Sequence, residues 1–195
     1  NCETDFVARN EAFQAFAQSV ANLVLAAQPD SMEALQTATL DGITVADKLN
    51  EMTGKIGEKI DVRRFEITSA AGTVVSYIHP GARLGVLVEL TADNEEAGRD
   101  VAMQVAALDP IALHADQVSD EIKQREMEIA RDRAINEGKP ENIIDRIAQG
   151  ALNSFFKERV LLDQAFVKDP KQTVAQMLKK AEVDVVKFVR FVLGG

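Results

Sequence analysis

The chain contains no tryptophan, one tyrosine, one cysteine and two histidines among its 195 residues, and the scarcity of cysteine and histidine narrows the chemistry open to it. A single cysteine, Cys2, excludes an intrachain disulfide framework and any cysteine-based zinc cluster, and fits a reducing compartment. A thiol nucleophile at Cys2 would need a base, and only His79 and His114 are available, neither in a recognised catalytic context. Runs of Lys or Arg are missing and the formal net charge is −9, so direct binding of nucleic acid is disfavoured. Neither a Gly-x-x-x-x-Gly-Lys phosphate loop nor a Gly-x-Gly-x-x-Gly turn occurs, which leaves no visible nucleotide pocket. The strongest apolar stretch, residues 20–27, falls far short of the ~20 residues of a membrane span. No cofactor, metal site or catalytic chemistry is therefore expected of this chain.

What remains is a globular composition, 46% hydrophobic and 27% charged. Phe13, Phe16, Ala17, Val20, Leu23, Val24 and Ala27 recur at helical spacing, with Asn10 placed to cap the first turn and Gln28-Pro29-Asp30 to end the helix. A short helical piece is expected near Met32 to Leu35. A second helix from about Thr44 aligns Val45, Leu49, Met52, Ile56 and Ile60, although Gly54 and Gly57 loosen its last turns.

Three stretches rich in β-branched residues, 62–68, 73–79 and 83–91, are separated by Ala71-Gly72 and Pro80-Gly81 and predict a three-stranded antiparallel meander. A helix over 94–108 closes at Asp109-Pro110. Ser119 caps a following helix, Gly138 and Pro140 supply a stop and a fresh start, and residues 119–158 read as an antiparallel helical hairpin, coiled-coil-like. The paired acids Glu95-Glu96 and Asp120-Glu121 sit where they favour helix starts through the backbone dipole.

The chain also echoes itself. Thr44-Val45-Ala46 with Leu49 recurs as Thr173-Val174-Ala175 with Leu178, and Arg64-Phe65 as Arg190-Phe191. A shorter echo pairs Val20-Ala21 with Val105-Ala106, each in a helix followed by proline. Such repetition predicts an α+β fold of two related lobes of antiparallel strands packed with helices, interrupted by the helical hairpin. The expected divisions are 1–117 for the N-terminal lobe, 118–166 for the hairpin and 167–195 for the C-terminal lobe completed by preceding helical segments.

Taken alone, Thr4 to Asn10 reads as a chain entering a helix, with Phe6 in the core and Asn10 the cap. An aromatic beside a carboxylate also has the form of a wedge that enters another protein. The run Asn1-Cys2-Glu3-Thr4-Asp5-Phe6-Val7 resembles the signature of the elongation factor Ts family. So do Lys55-Ile56-Gly57-Glu58, Val62-Arg63-Arg64, Tyr77 to His79 with Pro80-Gly81-Ala82-Arg83, Gly85-Val86-Leu87-Val88, Glu137-Gly138-Lys139-Pro140 and Arg190-Phe191.

The resemblance implies a guanine-nucleotide exchange factor for elongation factor Tu, promoting GDP release during translation elongation without chemistry of its own. It implies that Asp5 and Phe6 push between helices of the partner's GTPase domain and disturb its Mg²⁺ site and phosphate-binding loop. Ile56 and Gly57 match a second contact, with a helix-end apolar residue and a glycine stop as the plain alternative. His79 matches a contact in a strand-end turn, with a solvent-facing histidine as its alternative. Val167 falls where the family places Val-Met against the partner's third domain, and Lys168 departs from that methionine. The hairpin resembles a dimerisation or protruding module, which implies a homodimer, or is an internally packed spacer.

The family's N-terminal ubiquitin-associated-like domain is not among these residues, so a truncated or processed product with weaker partner affinity is expected, whereas the end at Gly195 resembles a family terminus. The implied location is the bacterial cytoplasm, or an organelle matrix or stroma, with no membrane or nucleic-acid partner. The competing expectation is an assembly or chaperone-like subunit that grips elongation factor Tu without exchanging its nucleotide, and a more distant one is a small hydrolase using Cys2.

Overall fold

A computed structural model describes residues 1–69 and 71–194. Two compact units emerge: Asn1–Ser69 with Tyr77–Val86 and Val189–Gly195, and Ala70–Ser76 with Leu87–Phe188. The α+β class expected from the sequence is what the chain forms.

The first unit begins with a one-turn helix, α1 (Asp5–Ala8), and a long helix, α2 (Glu11–Ala27). Asn10 caps α2 as expected, its side-chain oxygen accepting from the backbone N–H of Ala12 at 2.9 Å and of Phe13 at 3.2 Å. Phe13, Phe16, Val20 and Val24 form the buried stripe. After α3 (Met32–Thr37), strands β1 (Thr39–Leu40) and β2 (Ile43–Thr44) pair antiparallel, Thr39 opposite Thr44. Asp41 and Gly42 both have positive φ, 54° and 88°, the conformation that lets a two-residue turn match the twist of its strands.

Thr44 then caps α4 (Val45–Ile56) by accepting from Asp47 N–H at 3.1 Å. The helix stops four residues before the expected end because Gly57 takes the left-handed conformation at φ 82°, where its N–H closes on the carbonyl of Thr53. Ile60 is buried all the same, held after the reversal by its N–H to the Thr53 hydroxyl at 3.1 Å.

One expectation is corrected. Residues 62–68 form no strand: Val62, Phe65 and Ile67 pack on the core of the first unit as irregular chain. The three-stranded sheet has the order β3 (Val74–Ile78), β4 (Leu84–Leu90), β7 (Val185–Val192), so its third member comes from the end of the chain. Pairing of β4 with β7 is antiparallel, since Thr91 N–H meets the Asp184 carbonyl while Leu193 N–H meets that of Arg83. Alternating apolar residues mark a buried face and leave the backbone partner unspecified.

The second unit holds α5 (Glu95–Leu108), capped by Asn94, and a helical hairpin of α6 (Asp120–Asn136) and α7 (Glu141–Arg159). Ser119 caps α6, and Gly138 turns the chain at φ 69°. Arg131 on α6 bonds Asp145 on α7 at 2.9 Å, and Ala134, Ala148 and Leu152 are buried. A second small hairpin follows, β5 (Ala165–Phe166) with β6 (Asp169–Thr173), and leads into α8 (Val174–Lys180).

The Thr-Val-Ala part of the echo is structural, whereas the Arg-Phe part is not, since Arg64-Phe65 lies in irregular chain and Arg190-Phe191 in β7. Each copy is a two-stranded hairpin whose last threonine caps the next helix, and Val45 and Val174 are both fully buried behind it. The shorter echo needs realignment. Gln28 and Asp109 both end their helices at φ 46°, their N–H groups on the carbonyls of Val24 and Val105, so Val105 corresponds to Val24 and not to Val20.

Candidate functional site

Helix α1 is far too short to persist by backbone hydrogen bonds alone, since isolated helices below ~12 residues are marginal in water. Its persistence comes from anchorage. On one side Val7 and Ala8 are buried in the core of the first unit. Thr4 caps the turn, and both its N–H (3.0 Å) and its hydroxyl donate to the carboxylate of Glu58, the residue just past the Gly57 reversal. Arg83 donates to the carboxylate of Asp5. Asn1 is tied on both sides, its carbonyl accepting from Asp61 N–H at 3.1 Å and its side-chain oxygen from Gly194 N–H at 2.7 Å.

Phe6 points the other way. It is 88% exposed, the most open of the large apolar side chains among the described residues. A benzyl group displayed on an anchored turn gains nothing from its own core, which is the reverse of the core position its surroundings suggest when the sequence is read alone.

His79 lies at the end of β3, exposed, with its Nδ1 3.0 Å from the Tyr77 hydroxyl and the two rings edge to face at 5.9 Å. The turn that follows is closed by Ala82 N–H on the His79 carbonyl at 3.0 Å, with Gly81 at φ 96°. Its residues Pro80, Gly81 and Ala82 line an open depression with Arg9 and Gln14, so this turn borders the junction of α1 and α2. Ile56 is half-buried against the core and Gly57 is exposed with open space around it. Four expected positions, Asp5, Phe6, Gly57 and His79, thus stand exposed on the first unit, joined through the Thr4–Glu58 and Asp5–Arg83 contacts.

Val167 belongs to the second unit, 42% exposed at the tip of the β5–β6 turn. Its N–H donates to Gln104 Oε1 at 2.9 Å, and Lys168 pairs with Asp100 on α5. Sequence reasoning missed Gln104, although a glutamine at the buried stripe of Val101 and Val105 is a visible anomaly. It assigned no role to Glu58 or Arg83 either, and nothing in their own spacing distinguishes them from other surface charges.

Cys2 is buried, and burial pushes its thiol pKa up, so the thiol stays protonated at neutral pH. Its S–H donates to the Thr4 carbonyl at 3.6 Å. We expect a thiol-exchange dye to label native Cys2 at least tenfold more slowly than the unfolded chain, with the rate still rising above pH 9. Labelling at the unfolded rate would mean that this segment is open in solution. Among the described residues no cluster of three His, Cys, Asp or Glu side chains is placed to hold a metal, and no helix is long and apolar enough to cross a membrane.

Residues 3–195 match the family profile described as Elongation factor TS. The chain is 48% identical to an elongation factor Ts of Amoebophilus asiaticus, an alignment covering 99% of this chain and 72% of that one. It is 46% identical to an elongation factor Ts of Burkholderia multivorans and 45% identical to that of Burkholderia mallei, in each case over all of this chain and 66% of the other. With a profile spanning nearly every residue and relatives at this identity, the chain belongs to the elongation factor Ts family.

Proposed function

We propose that this chain is a guanine-nucleotide exchange factor for elongation factor Tu, working in the compartment where translation elongation runs and carrying no catalytic chemistry of its own. The observation that carries the proposal is the display of Phe6, 88% exposed on a turn whose other side is fastened to the core, beside the carboxylate of Asp5. A rigid apolar projection is suited to entering a partner, because little conformational freedom is lost when it docks.

Phe6 and Asp5 enter the GTPase domain of elongation factor Tu and disturb its Mg²⁺ site and phosphate-binding loop. A magnesium ion neutralises charge between the diphosphate oxygens, so weakening its coordination restores repulsion and speeds GDP loss. The factor must favour the nucleotide-free partner over the GDP-bound one, since only a difference in affinity shifts that equilibrium. Gly57, His79 and, on the second unit, Val167 supply further contacts, while Ile56 serves mainly to pack the end of α4.

Release of a fluorescent GDP analogue from elongation factor Tu tests this directly. Catalytic amounts of the chain should accelerate release by at least tenfold, in proportion to factor concentration. Binding without acceleration would instead favour a subunit that grips its partner and leaves the nucleotide in place.

A further inference from the structure

We propose that Glu58 and Arg83 are positioning residues that hold the Phe6 turn in its docking geometry before the partner arrives. This rests on the exchange function proposed above and adds the means by which the projection is kept rigid.

Helix α1 has a single turn, so something outside it must hold it. Glu58 grips the turn at its N-cap with both carboxylate oxygens, one taking the Thr4 N–H and the other the Thr4 hydroxyl. The Thr4 hydroxyl oxygen in turn accepts from Val7 N–H at 3.4 Å, so the clamp continues into the first turn. Arg83 takes hold one residue later, at Asp5. Phe6 follows immediately. The two holding residues come from separate elements of the same unit, Glu58 after the Gly57 reversal and Arg83 after the Pro80-Gly81-Ala82 turn.

All of these side chains are at least partly open to water, so they add little to folding stability. Their effect falls on the freedom of one turn. A loose turn must be ordered on binding, and that cost appears in the docked state.

The test is a double-mutant cycle read by fluorescent-GDP release from elongation factor Tu, with thermal melts beside it. Glu58→Ala should lower the maximal exchange rate about tenfold, less than two buried charge-assisted hydrogen bonds would give because these are open to water. Glu58→Gln keeps one acceptor oxygen and should fall between, and Arg83→Lys should retain more rate than Arg83→Ala. Melting temperatures should move by no more than about 2 °C.

In a Phe6→Ala background, Glu58→Ala should cost nothing further, because there is no longer a projection to aim. A purely structural Glu58 would give an additive loss, and that outcome, or full activity in Glu58→Ala, overturns the positioning role while leaving the exchange function standing. Unimpaired exchange by Phe6→Ala alone removes the positioning role together with the Phe6 wedge and leaves exchange itself standing, whereas failure of the unaltered chain to accelerate release removes the exchange function. If Glu58→Ala fails to fold, Thr4→Val against Thr4→Ser decides: the serine should keep the rate and the valine lose it, and equal rates refute the clamp.

Discussion

Phe6→Ala should lower the rate of GDP release from elongation factor Tu by about 30- to 150-fold, the range expected when an aromatic anchor that contributes ~2–3 kcal/mol to docking is truncated. The same substitution leaves the melting temperature within about 2 °C, because a side chain 88% exposed has few contacts of its own to lose. Its neighbour supplies the opposite result. Val7 is 7% exposed in the core of the first unit, and Val7→Ala should cost roughly 1.5–3 kcal/mol of stability from lost burial and the cavity left behind. Once folded, that variant should retain most of its exchange rate. Two adjacent residues would then separate function from stability. Equal destabilisation by Phe6→Ala and Val7→Ala would show that Phe6 packs on its own chain in solution, and the wedge would be lost as an explanation.

Local signals carried the sequence furthest. Asn10 and Ser119 announce helix starts because a short polar side chain beside an apolar periodic run has a backbone N–H to accept from, and both cap as expected, while Asn94, expected only as the start of its helix, caps it as well. The repeated Thr-Val-Ala was legible for the same reason, since capping threonine and buried valine are local requirements. Partners distant in sequence were not. The apolar alternation at 62–68 satisfies a core without a ladder, and the strand that completes the sheet begins at Val185. The Asp41-Gly42 pair between Leu40 and Ile43 is a hairpin signal of the same local kind. At the site, the residue types of the proposed wedge were visible through resemblance, whereas the residues that contact its turn were not. Glu58 meets Thr4 only because α4 ends at Gly57, and Arg83 meets Asp5 only because a turn brings it there.

Gln104 is the residue whose loss should damage the second unit most per atom removed. It is fully buried, and both ends of its amide are partnered: Nε2 donates to Gln164 Oε1 and to the Ala165 carbonyl, both at 3.1 Å, and Oε1 accepts from Val167 N–H. Gln164, 1% exposed, passes its own Nε2 to the Glu158 carbonyl at 2.8 Å. The two amides thereby fasten α5, the end of α7 and the β5–β6 turn together. Gln104→Leu preserves volume and strips the bonds, leaving Gln164 Oε1 buried without its donor. We expect a loss of about 3 kcal/mol, seen as a fall of roughly 6–12 °C in melting temperature. Adding Gln164→Leu removes the orphaned acceptor, so the double variant should be less destabilised than the sum of the two singles. The functional consequence differs from that of Phe6. Because the pair holds the turn that displays Val167, the double variant should need more factor for half-maximal exchange, at an unchanged maximal rate. A fall in maximal rate would place the pair in the exchange step itself, and additive destabilisation would show that the two amides act independently despite their contact.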